Sequence, residues 1–176
     1  GFFNPLHEGH LHVIKTSAKS LKLKKLILLP TYQNPLKENQ NPKSINSQIS
    51  ELRLQIKEPL AKVSDFEHRY QMKSTYDVLK KISTKCSLNS FYLIIGLDQL
   101  GHFHEWMEYE WITKNISICV IYRPRYDDFI ENSTIKKQHP NLFMPNLAKF
   151  INSSTPCFHI LGDSGVNLSS SELRDV

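Results

Sequence analysis

The chain of 176 residues has no apolar run close to the roughly 18 residues that a helix needs to cross a bilayer, which excludes a helical membrane span. Its first residues lack the charged-then-apolar pattern of a secretory leader. Cysteine is scarce: Cys86, Cys119 and Cys157 are far apart, odd in number and outside any metal-ligand spacing. They read as buried free thiols in a reducing compartment, so the cytoplasm is the expected location. No internal repeat, low-complexity tract or acidic metal cage is visible. Strong clustering of basic charge is also missing. Lys and Arg number 22 against 17 Asp and Glu, for a net charge of +5, but the lysines are spread along the chain. The one group, Lys19, Lys22, Lys24 and Lys25, falls at the end of a predicted helix, where cations complement the dipole. A nucleic-acid partner is therefore not expected.

What is present is an ordinary globular composition, 40% hydrophobic and 22% charged, enough for one domain over residues 1–176 with a sizeable core. Leu11, Ile14, Ala18 and Leu21 recur at helical spacing from Leu6 to about Leu21. The run Lys24–Pro30 reads as a buried strand, and Thr31–Ser44, polar and twice interrupted by proline, as a long loop of the kind that carries function. A helix is predicted over Ser47–Lys57, a weaker strand over Ala61–Phe66 and a helix over Met72–Ile82. Phe91–Asp98 is the strongest strand, followed by a helix over Gln99–Ile112. Ile116–Pro124 and Pro156–Asp163 are further strands, Tyr126–Asn152 is weakly periodic, and Asn167–Val176 opens a capped helix.

Apolar strands alternating with helices predict an α/β fold, a parallel sheet with helices on both faces and its ligand at the C-terminal strand ends. Thr31–Lys37, Gly96–Asp98, Arg123 and Ser169–Arg174 all follow strands, and are expected on that rim. The chain begins at Gly1 with no strand ahead of its first loop and ends at Val176, barely into its last predicted helix. A fragment lacking part of the first strand and the C-terminal helix is the expectation.

The opening GFFNPLHEGH carries His7 and His10 three residues apart, one helical turn, with Pro5 suited to the first turn. Two surface histidines, half of a zinc site and core histidines are all open readings of the spacing alone. The preceding Asn4-Pro5 adds a fourth. A helix N-terminus offers amides and a positive dipole end to phosphate, and imidazoles on that face can donate to phosphate oxygens. Gly9 would let a flat ring approach the backbone. At the other end, SSSELR (Ser169–Arg174) is either a plain capped helix or a second anion site. In the latter, Ser170, Ser171 and the first amides bind phosphate, and Arg174 adds a forked cation one turn on.

Together, GFFNPLHEGH and SSSELR resemble the two signatures of the HxGH nucleotidylyltransferase superfamily. Within it the chain is similar to the bacterial nicotinate-nucleotide adenylyltransferases. The stretches LLPTYQNPLK (Leu28–Lys37), STYDVL (Ser74–Leu79) and IIGLDQLGHFHEWMEYEWI (Ile94–Ile112) carry the likeness between the ends. The resemblance implies a Rossmann-like domain that transfers the adenylyl group of ATP to nicotinate mononucleotide. The products are deamido-NAD and pyrophosphate, and Mg²⁺ is carried in on ATP.

It implies catalytic roles for His7, His10 and Arg174, with His10 nearest the α-phosphate. Phe3, Gly9, Lys37, Asp98, Ser170 and Ser171 would bind ATP, Asp98 through a ribose. Trp106 would stack on the pyridine ring, and the backbone near Thr75 and Met107 would receive its carboxylate. No protein ligand for a metal is expected, and a homo-oligomer is left open. The chain departs from the family at Phe2, usually Thr or Ser, at Leu36, usually His, and at Ser74, often Tyr. Related acceptors, nicotinamide mononucleotide or phosphopantetheine, are the alternatives, together with a non-catalytic nucleotide-binding module. His7 speaks against the pantetheine branch, which usually has Thr there.

Overall fold

The computed structural model describes residues 1, 3, 5–31, 45–123 and 126–162. The chain divides into two compact units, Gly1–Lys81 and Ile82–Val176.

The first unit opens with α1 (Glu8–Ser20), which buries Ile14 and Ser17. Ser17, fully enclosed, satisfies its hydroxyl by donating to the carbonyls of Val13 and Ile14 one turn back. Then come β1 (Leu26–Leu28), α2 (Ile45–Gln55), β2 (Ala61–Val63) and the short α3 (Phe66–Arg69). β1 and β2 pair in parallel, Leu26 with Ala61 and Leu28 with Val63. β1 is not buried throughout, as its sequence suggests: Leu26 and Leu28 are enclosed but Ile27 is 43% exposed, so one face of this strand is open. α2 turns Ile49 and Leu52 inward. Gly1 lies beside the end of β1, where its carbonyl accepts from the Thr31 amide at 2.9 Å.

α4 (Thr75–Ser83), most of it in this unit, starts on a reciprocal cap. The Asp77 amide donates to the Ser74 hydroxyl at 3.1 Å, and the Ser74 amide donates to Asp77 Oδ2 at 3.0 Å. This is the capping box, with the acid three residues after the hydroxyl. Val78 and Leu79 are the buried side of the helix.

The second unit is built on β3 (Tyr92–Gly96), β4 (Ser117–Ile121) and β5 (Phe158–Leu161), a parallel sheet in the order β3-β4-β5. The central strand is the most enclosed: Ile118, Cys119, Val120 and Ile121 are all 0% exposed. That is what an all-apolar strand covered on both faces requires. Between β3 and β4 run α5 (Leu97–Leu100) and α6 (Tyr109–Asn115), and between β4 and β5 run α7 (Asp127–Asn132), α8 (Thr134–Gln138) and α9 (Leu147–Ile151). Leu97, Leu100, Phe103 and Ile112 supply the core on the first crossover, Ile130, Ile135 and Phe150 on the second.

Two sequence expectations are corrected here. The strand predicted over Phe91–Asp98 ends at Gly96, and Leu97 and Asp98 already belong to α5. The single helix predicted over Gln99–Ile112 is broken into α5, a 3₁₀ turn at Phe103–Glu105 and α6. Trp106 is extended, at φ −70° and ψ 142°, and Glu108 is left-handed, at φ 52°. Both conformations stop an α-helix, and apolar spacing does not reveal them. The weakly periodic Tyr126–Asn152 resolves into short helices, of which α8 and α9 start on Ser133 and Asn146, whose side chains accept from Lys136 and Lys149 amides. Among the described residues no helix is long and apolar enough to cross a membrane.

Candidate active site

In the first unit the turn after Gly1 brings three aromatic rings together. His7 is the N-cap of α1, with extended backbone at φ −141° and ψ 168°. Pro5 therefore lies ahead of the helix and not in its first turn, which begins at Glu8. The His7 carbonyl accepts from the amides of His10 at 2.9 Å and Leu11 at 3.2 Å. This folds His10 back over His7, and the two imidazoles stack with centroids 3.7 Å apart and planes at 25°. Phe3 packs against the His10 ring, with centroids 4.8 Å apart and planes at 53°. His7 is exposed while Phe3, Gly9 and His10 are half-buried. The start of α1 thus combines the positive end of the helix dipole with two imidazoles. That set suits a phosphate.

Lys37, which follows β1 in the sequence, lies outside the described residues, as do Ser170, Ser171 and Arg174. Close to the C-terminal end of β1, the Thr31 hydroxyl donates to Glu67 Oε2 at 2.8 Å. Burial pushes the Glu67 carboxyl above its ordinary range. Thr75 is the first residue of α4, directly after the Ser74 cap.

In the second unit Asp98 sits in the first turn of α5, just past the C-terminal end of β3. Its Oδ1 accepts from Arg123 Nη1 at 2.6 Å and its Oδ2 from Gln99 Nε2 at 2.7 Å. Trp106 leans on the fully buried Phe103, ring centroids 5.1 Å apart, and is itself half-buried. Its next neighbour, Met107, is 57% exposed. Trp106 is thus anchored on one side to the core and partly open to solvent, not on a helix face as its spacing suggested. Among the described residues no three His, Cys, Asp or Glu gather into a metal site.

The structure thus joins Phe3, His7 and His10 in one cluster and Asp98 with Arg123 in another. The sequence placed Arg123 on the strand-end rim but gave it no role. An apolar strand stopped by Arg-Pro marks such a strand-end position, yet its partner depends on register, which sequence alone does not fix.

These features define a parallel α/β protein with its polar residues at strand C-termini, the arrangement in which nucleotides are bound. The sequence profile of the cytidylyltransferase-like family matches residues 1–176, and the chain belongs to that family. A protein from Caulobacter sp. (strain K31), named "Probable nicotinate-nucleotide adenylyltransferase", is 36% identical over 124 residues, 70% of this chain and 66% of its own length. One of the same name from Pelagibacter ubique (strain HTCC1062) is 30% identical over 177 residues, 100% of this chain and 89% of that one. The chain thus spans about two thirds of the Caulobacter relative. A solved structure of Plasmodium falciparum nicotinic acid mononucleotide adenylyltransferase complexed with NaAD superposes with a TM-score of 0.58 at 16% identity, covering 76% of this chain and 68% of that one. At that identity the likeness is one of fold.

Proposed function

We propose that the chain joins ATP to nicotinate mononucleotide, giving deamido-NAD and pyrophosphate. Its family, the names of its relatives and its HxGH signature support this reading. The observation that carries it is the His7–His10 stack on the N-terminus of α1.

The chemistry asks little beyond positioning. A phosphate oxygen of the mononucleotide attacks the α-phosphorus of ATP, a new P–O bond forms, and the bond from that phosphorus to the β-phosphate oxygen breaks. Pyrophosphate leaves with the electron pair. The attacking phosphate is already anionic, so no general base is required, and the barrier lies in aligning two anions and neutralising charge. His10 donates to the α-phosphate oxygens as negative charge develops, and His7 buttresses the His10 ring and holds an adjacent phosphate oxygen. Phe3 packs against His10, and Gly9 keeps the helix start open to the nucleotide. Asp98 accepts from a ribose hydroxyl. Trp106 offers its indole face to the pyridine ring, and the backbone at Thr75 and Met107 receives the pyridine carboxylate. Lys37, Ser170, Ser171 and Arg174 complete the phosphate grip.

Mg²⁺ belongs to this reaction as an ion brought in on the triphosphate. It would keep several waters and bind phosphate oxygens by preference. When bound it neutralises triphosphate charge. The cytoplasm is the proposed location, supported by three free thiols: Cys119 and Cys157, buried as the sequence suggests, and Cys86, which is exposed instead.

The test is product identification. ATP, Mg²⁺ and nicotinate mononucleotide incubated with the protein should yield a dinucleotide of the mass of deamido-NAD and an equal amount of pyrophosphate. ADP and phosphate as products would contradict the transfer, and a bound but unconverted nucleotide would leave a binding module.

A further inference from the structure

Asp98 is gripped by a residue just past the end of the neighbouring strand. Gly96 pairs in register with Ile121, the last pair of the β3–β4 ladder. Asp98 and Arg123 each stand two residues beyond that pair, on the two chains leaving the sheet side by side. The Arg123 guanidinium donates from Nη1 to Asp98 Oδ1 at 2.6 Å, and the side chains are only 18% and 24% exposed. That is a short charge-assisted bond in a partly shielded place, unlike a surface ion pair. The other carboxylate oxygen accepts from Gln99, which is exposed.

Gly96 makes room for the pair. Its φ of −77° and ψ of 157° are open to any residue, so backbone freedom does not call for glycine here. Space does. A Cβ at Gly96 would sit 2.5 Å from Asp98 Oδ1 and 3.3 Å from Arg123 Cδ, inside the ion pair.

We infer that Arg123 is a positioning residue for the nucleotide site: it fixes the Asp98 carboxylate so that its remaining lone pairs meet the ribose hydroxyls of ATP. This rests on the adenylyltransferase reading above. A carboxylate facing a sugar diol must be held in one rotamer to select it, and Arg123 with Gly96 restricts that rotamer. Arg123 acts through Asp98, and Gly96 acts by having no side chain.

The test compares the wild-type protein, Arg123→Lys, Arg123→Gln, Gly96→Ala, Asp98→Asn and the Arg123→Gln/Asp98→Asn double variant. Each is assayed with ATP and with its 2′-deoxy and 3′-deoxy analogues, and thermal melting checks the fold of every variant. Arg123→Gln is expected to raise the ATP KM about tenfold, as for a lost hydrogen bond to a charged group, with kcat within a small factor and the mononucleotide KM unchanged. The wild-type preference for ATP over the deoxy analogue that Asp98 reads should collapse in Arg123→Gln and in Gly96→Ala, and recover in part in Arg123→Lys. The double variant should be no worse than Asp98→Asn alone.

Additive losses in the double variant would overturn the inference. So would a tenfold rise shared equally by ATP and its deoxy analogues, which would make Arg123 a direct phosphate contact. A fall in melting temperature with KM values intact would reduce the pair to a structural clasp and overturn it too. A wild-type protein that turns over neither ATP nor its analogues would instead remove the adenylyltransferase reading, and this inference with it.

Discussion

The imidazole of His10 lies flat against that of His7, 3.7 Å between centroids, at the first turn of α1. The contact follows from His7 serving as N-cap, because its carbonyl draws the His10 amide back by one 3₁₀-type bond. If His10 donates to phosphate oxygens in the transition state, His10→Ala should lower kcat by about 10² or more while the melting temperature stays close to wild type. Turnover near the wild-type level would take His10 out of the mechanism.

Trp106 is held by Phe103 and partly open to solvent, so its two roles can be separated. A pyridine platform predicts that Trp106→Ala raises the mononucleotide KM far more than the ATP KM, and that Trp106→Phe restores most of the loss. Equal effects on both substrates, with a lowered melting temperature, would place Trp106 in the core alone.

The start of α4 gives a stability prediction independent of activity. Ser74 and Asp77 satisfy each other's amides, so Ser74→Ala should cost about 1 kcal/mol in denaturant unfolding. A change well below that would mean that solvent replaces the cap.

Cys119 predicts a pH dependence. It is fully buried in β4, and burial pushes its thiol up to about 12 from an ordinary 9.0. The folded state thus favours the protonated thiol. Its contribution is complete below the ordinary thiol range and is lost as pH rises, because the unfolded chain releases its proton first. Between pH ~9 and ~12 this single group should remove up to about 1.4 kcal/mol per pH unit, and Cys119→Ala should show a correspondingly flatter decline. Parallel declines in the two proteins would contradict this. In the native protein a thiol reagent should label the exposed Cys86 quickly and the buried Cys119 and Cys157 only on unfolding.

Much of this fold is legible where burial and periodicity agree. Ile14 and Leu21 mark α1, Val78 and Leu79 mark α4, and the dense apolar runs through β3, β4 and β5 mark a covered parallel sheet. Legibility fails where a single residue takes an unusual backbone conformation. Glu108 at φ 52° splits what reads as one helix, and no side-chain pattern announces it. It fails again where meaning depends on register. Asp98 is recognisable as a polar residue at a strand end, but that Arg123 is its partner follows only from the pairing of Gly96 with Ile121. The nearness of His7 and His10 is legible because one helical turn is local, whereas the ion pair joins residues that lie beyond the ends of two different strands.

Acceptor selectivity measures the central claim most directly. Pyrophosphate release from ATP and Mg²⁺ should be followed in parallel with nicotinate mononucleotide, nicotinamide mononucleotide and phosphopantetheine, with His10→Ala as the control. Rapid release with the acid mononucleotide, much weaker release with the other two and loss in His10→Ala is the predicted result. Release that favours another acceptor would move the substrate, and no release with any of the three would contradict adenylyl transfer itself.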